Sequence, residues 1–165
     1  MSLSVFVIEC VIFMAVFGAL VFGMLLVSPL TFVSDYPPEI QERYYISQRK
    51  EKSRRKMTAA MAVKKGIGLI IAVFLLAWMA HRAGAASFGE GLLLAYGYML
   101  AWAVFDTCFL DWVLFPNIRR VRLPGTEDMD REYHQKWFHV KVMLPLLPVF
   151  AAGGLLLGGI MVWIW

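Results

Sequence analysis

Three carboxylates stand where carboxylates are costly: Glu9, Asp106 and Asp111 each fall within or at the end of a long apolar run. An ionisable group at membrane depth is expensive and marks a functional position by default. Asp106 lies deepest, and on a helix it shares a face with Met99, Trp102, Ala103 and Leu110. At 100° per residue Asp111 sits about 140° round from it, with Thr107 between, so the two do not form a dyad on one α-helical face. One chemistry open to Asp106, Asp111 and Thr107 is binding of a proton or small cation in a transporter. The other is structural: Asp111 pairs with Arg119 or Arg120 at the inner boundary, and Asp106 anchors its helix to a neighbour. With no second intramembrane base and no repeated carboxylate pattern, the structural role is favoured. Glu9 shares its face with Phe13, Val16 and Leu20, near the outer boundary where water is within reach.

Outside the apolar runs, Asp130, His134 and His139 are the residues that could carry acid–base or metal chemistry. A spacing of five puts the two histidines on different α-helical faces. Asp130 and His134 are four apart and make the better pair, yet supply too few ligands for a metal. No nucleophile, phosphate loop or zinc-peptidase motif accompanies them, so the expectation is no enzyme, no cofactor and no metal. Cys10 and Cys108 differ in depth by roughly 15 Å at 1.5 Å per residue, too far for a disulfide, and are expected to be buried structural residues.

The elements that carry these residues follow from charge distribution. The chain has 165 residues, 60% hydrophobic, with 16 Lys and Arg against 12 Asp and Glu. A soluble domain intersperses such charges, whereas here four long stretches are nearly free of them. The bilayer core is about 30 Å thick and needs roughly 20 helical residues. The spans fall at about 5–27, 66–86, 91–115 and 142–165, the second reaching 86 if His81 and Arg82 snorkel to the headgroups. The first has no basic start and is too long for a signal peptide, so it is expected to be a retained span. The fold class is therefore all-α: a four-helix transmembrane bundle with amphipathic cytoplasmic helical segments.

Orientation follows from the basic residues. Nine lie in the loop at about 31–65 and six in the loop at about 116–141, against Arg82 alone between spans two and three. The positive-inside rule then puts both long loops in the cytoplasm and both termini outside. Trp78, Trp163 and Trp165 near the outer boundary, with Trp112 and Trp137 near the inner one, agree with this. Small residues at Ala15, Ala19 and Gly23, at Gly97 and Ala101, and at Gly154 and Gly158 let helices approach closely, within the chain or in a homo-oligomer. Pro145 and Pro148 should offset the start of the fourth span.

In the first loop, Ser34-Asp35-Tyr36-Pro37-Pro38 predicts a helix beginning near Pro38. The cluster from Arg49 to Lys56 is a topology signal and a partner for anionic headgroups rather than for nucleic acid. In the second loop, Pro124-Gly125 predicts a turn and Thr126 the N-cap of a helix whose first turn holds Glu127, Asp128 and Asp130. Met129, Tyr133, Trp137 and Val140 would form one stripe of that helix, lying along the inner interface and running into span four. Arg119, Arg120, Arg122, Glu127, Asp130 and His134 are the docking candidates.

Pro124-Gly125-Thr126-Glu127-Asp128-Met129-Asp130 with Glu132-Tyr133, the segment Asp106 to Asp111, and Lys64-Lys65-Gly66-Ile67-Gly68 resemble small four-span bacterial membrane proteins with no assigned reaction. The likeness covers roughly Pro37 to Val142 and implies the four-span fold and a bacterial plasma membrane. The expected role is that of a non-enzymatic accessory protein whose cytoplasmic loops dock a protein partner or anionic lipid. The alternative is a small oligomeric proton- or cation-coupled transporter using Asp106 and Glu9. That reading has some similarity to small multidrug exporters, but loops of about 35 and 26 residues are too long for them.

Overall fold

The structure, a computed structural model, describes residues 1–49 and 58–164. The described residues form helices and turns without strands. In chain order the α-helices are α1 (Leu3–Val27), α2 (Pro38–Ser47), α3 (Ala59–Arg82), α4 (Phe88–Val104), α5 (Phe115–Asn117), α6 (Asp130–Tyr133), α7 (Lys136–Met143) and α8 (Leu147–Ile164). A π-helical stretch, Phe105–Leu114, joins α4 to α5. Four helical stretches are long and apolar enough to cross a membrane: Leu3–Val27, Ala59–Arg82, Phe88–Asn117 and Asp130–Trp163. Helix α3 begins before Lys64-Lys65 rather than after them, because the Thr58 side chain caps it by accepting from the Met61 N–H at 3.3 Å. Its end at Arg82 comes before residue 86, where Gly84 takes φ +87° and turns the chain.

The chain divides into two compact units. The first comprises Met1–Phe13, Arg55–Trp102 and Pro145–Trp165. Here α3 and α4 both pack against α8. Gly154 and Gly158 lie so close to the rings of Tyr96 and Phe88 that an added Cβ would sit 2.5 and 2.9 Å from them. Gly97 likewise faces Phe6 at 3.0 Å. This is the close approach that small residues permit between apolar helices. Helix α4 starts at Phe88 because Glu90 accepts from the Ala86 N–H at 2.9 Å while Ser87 accepts from the Glu90 N–H, a reciprocal cap.

The second unit comprises Met14–Arg54 and Ala103–Leu144. Its core of Leu25, Tyr36, Ile40, Tyr44, Val121, Leu123 and Tyr133 draws on α1, α2 and both long loops. Each large side chain buried there contributes about 1.5–3 kcal/mol. Helix α2 starts at Pro38 as its sequence predicts, and Gln41 fixes the entry by donating to the carbonyls of Ser34 and Tyr36 at 3.1 and 2.7 Å.

The helix expected from Thr126 does not form as such. Residues 124–129 make turns, α6 covers only Asp130–Tyr133, and the chain breaks before α7. Thr126 instead turns inward, donating to the Leu123 carbonyl and sharing a 2.7 Å hydrogen bond with the Tyr133 hydroxyl. The break separates buried Tyr133 from Trp137, which is 75% exposed, so the expected apolar stripe is split. A short 3-10 turn, Leu144–Leu146, precedes α8 where Pro145 lacks the N–H of a continuing helix.

Candidate functional site

Asp106, Thr107 and Asp111 all lie on the π-helical stretch. There the backbone N–H groups reach five residues back, as that of Phe115 does to the Leu110 carbonyl, so residues five apart stack on successive turns. Asp106 and Asp111 are five apart. The wider ladder therefore returns to one face two carboxylates that α-helical spacing separates. Facing them is His139 of α7, whose Nδ1 lies 3.0 Å from Asp111 Oδ2, with 15% and 16% of the two side chains exposed. This replaces the expected pairing of Asp111 with Arg119 or Arg120. Asp106 is partly buried within electrostatic reach of Asp111, His139 and Asp35, and Thr107 is buried beside it.

Trp112, next along the stretch, donates its indole N–H to the Lys136 carbonyl at 3.1 Å. The Lys136 ammonium stands 5.5 Å from the centre of the same ring. Cys108 is exposed rather than buried, because the π-helical face that carries Thr107 and Leu110 inward turns Cys108 and Phe109 outward. Cys10, in the first unit, is buried, and both thiols are free.

Glu9, in the first unit, is enclosed rather than close to water. The Tyr98 hydroxyl donates to Glu9 Oε2 at 2.5 Å, and the Arg82 guanidinium lies 3.6 Å from Oε1. Arg82 in turn covers the Trp78 ring at 4.9 Å. Residues of α1, α3 and α4 thus meet at one charge, an arrangement suited to locking three helices together.

The docking candidates divide. Arg119, Arg120, Glu127, Asp130 and His134 are exposed. Arg122 is the departure, with only 3% of its side chain accessible. It donates to the carbonyls of Glu127 at 2.7 Å and Pro116 at 3.1 Å, pairs with Asp130, and lies 4.8 Å from the centre of the Tyr133 ring. Arg122 is a strut that holds the second loop in shape. Tyr36 extends the network by donating to the Val121 carbonyl at 2.6 Å, and Tyr133 accepts from the Leu123 N–H at 2.9 Å. Burial pushes the Tyr36 hydroxyl well above its ordinary pKa. His134 bonds the Asp130 backbone carbonyl through Nδ1 at 2.6 Å, not its carboxylate. Among the described residues no group of three His, Cys, Asp or Glu is placed to hold a metal ion. Lys50, Lys52, Arg54, Arg55 and Lys56 of the basic cluster lie outside the described residues.

Sequence reasoning missed His139, Tyr98, Arg82, Tyr36 and Tyr133 as partners. Their contacts join residues far apart in the chain, which helical periodicity does not register. A buried carboxylate's need for a donor was the available signal. No family model matches the chain, and no curated protein or solved structure matches it.

Proposed function

We propose that the protein is a four-span component of a bacterial plasma membrane with a non-enzymatic, accessory role, whose two long loops form one cytoplasmic body that docks a protein partner. The observation that carries this reading is the common core of Tyr36, Ile40, Tyr44, Val121, Leu123 and Tyr133. Loops that only connect spans have no need of a shared interior, and a folded body offers a fixed surface. On it Arg119 and Arg120 stand exposed side by side, and Arg43 and Asp128 form a rim pair at 3.9 Å. Two spans separate the loops in the chain, which is consistent with one common side, and the excess of basic residues makes that side the cytoplasm. A photo-crosslinking residue in place of Arg120, introduced into the full chain in cells, should give a discrete protein adduct that Arg119→Glu abolishes. Adducts to lipid alone would overturn the docking role.

A second reading has its own observation. Asp106 and Asp111 on one π-helical face, opposite His139, suit a proton- or cation-coupled transporter. Reconstituted liposomes should then show ion flux that Asp106→Asn eliminates while the protein remains folded and abundant. Equal flux in protein-free vesicles would remove this reading.

A further inference from the structure

We infer that the outer face of α7 binds the phosphate group of an anionic phospholipid in the adjoining leaflet, with Lys141 as the charged contact and Trp137 as the interfacial anchor. This goes beyond protein docking at Arg119 and Arg120 and uses different residues.

The rotation of α7 is set by two contacts on its inner side: the His139–Asp111 pair at 3.0 Å and the Trp112 indole bond to the Lys136 carbonyl at 3.1 Å. At 100° per residue, Lys136, His139, Val140 and Met143 cluster on that side, Trp137 and Lys141 stand 40° apart on the outer side, and Phe138 and Val142 follow further round it. Trp137 is 75% and Val142 54% exposed and Lys141 is exposed, whereas His139, Val140 and Met143 are partly covered; Lys136 is exposed at the edge of the inner side, and Phe138 on the outer side is partly covered. The outer face thus presents an indole, an ammonium one turn away and a β-branched apolar residue. That composition belongs at the boundary between headgroups and acyl chains, where tryptophan is enriched and lysine meets phosphate.

Length places the face at that boundary. The stretch Asp130–Trp163 has 34 residues, more than the roughly 20 that a hydrocarbon core of about 30 Å requires. The surplus must lie at the charged end, which holds Asp130, Arg131, Glu132, Lys136 and Lys141, since no charged residue follows Lys141. The 24 uncharged residues from Val142 to Trp165 are enough to fill the core, which leaves Lys141 at headgroup level. Lys136 is engaged by the Trp112 ring. Asp130 is taken by Arg122, so no acid on the outer face of α7 competes for Lys141.

The test uses the full chain carrying 5-fluorotryptophan in phosphatidylcholine nanodiscs with increasing phosphatidylglycerol, with Trp137→Phe to assign the fluorine resonance. The Trp137 signal should shift saturably with phosphatidylglycerol and recover at high salt. In Lys141→Gln the half-saturating lipid fraction should rise about fivefold, the loss of one lysine at an anionic surface. Arg120→Gln should leave it unchanged. A Trp137 signal indifferent to phosphatidylglycerol, or a Lys141→Gln titration matching the wild type, overturns the proposal. The same shift produced by inorganic phosphate would also overturn it, since the site would then be one for free anions.

Discussion

Arg122 shows what one side chain can organise. Its guanidinium donates to the part-buried Glu127 carbonyl and the buried Pro116 carbonyl, and leaving a buried acceptor without a donor costs about 1–3 kcal/mol. Arg122→Ala should therefore lower the stability of the folded loop body by on the order of 3 kcal/mol, read from its thermal unfolding in detergent. Arg122→Lys should recover only part of this, because an ammonium cannot fork between both carbonyls. Tyr36 gives a pH signature. Its hydroxyl is raised in the folded state by burial and by neighbouring Tyr133 and Asp35, so the stability it contributes is fully present below the unfolded tyrosine value of about 10. That contribution is lost as pH climbs from there toward the folded value. Unfolding temperature should accordingly fall in alkali, and Tyr36→Phe should flatten the decline while lowering stability at neutral pH through the lost bond to Val121. At this scale the sequence marked Arg122 as important but gave it the wrong direction. An arginine between two apolar residues, Val121 and Leu123, reads as surface until the carbonyls it faces are known.

Among the elements, apolar run length was enough to find all four long helices, and proline chemistry found the start of α2. The π-helical stretch was not legible, since a shift in hydrogen-bond register leaves no trace in composition. The wheel drawn for Asp106 and Asp111 assumed 100° per residue and so misjudged their relation. The contact that results is measurable: a double-mutant cycle of Asp111→Asn and His139→Gln should give a coupling of about 0.5–3 kcal/mol in thermal stability. Glycines give a sharper test of packing. Gly154→Val would drive its side chain into the Tyr96 ring and should strongly destabilise the packing of α4 against α8, whereas Gly23→Ala and Gly159→Ala meet open space and should leave the melting temperature nearly unchanged. The small-residue spacing thus identified real contacts at Gly97, Gly154 and Gly158, but spacing alone could not distinguish them from Gly23.

For the molecule as a whole, the placement of charge carries more information than its sum of +4. Fifteen of the 16 basic residues fall within positions 43–65 and 119–141, and two segments that reach into these ranges, 36–44 and 121–133, share a core. A reporter fused after Trp165 should be active only outside the cytoplasm if the proposed orientation holds, and a reporter inserted at Gly125 only within it. The four long apolar helices were readable from the sequence because their length and polarity stand out in the run of residues. The folded loop body was not, because it depends on pairings between segments separated by two spans.

That separation has a consequence for how the protein is made. The Tyr36 hydroxyl and its acceptor at Val121 are 85 residues apart. At ribosomal speeds of about 5–20 residues per second, Tyr36 must wait roughly 4–17 s for its partner. On the proposed topology, two further helices have to enter the membrane during that interval, in opposite directions, before the two halves of the core can meet in one compartment. The body would then act as a checksum on topology: a chain inserted with one span too few would leave Tyr36, Ile40 and Tyr44 exposed on one side of the membrane and Val121, Leu123 and Tyr133 on the other.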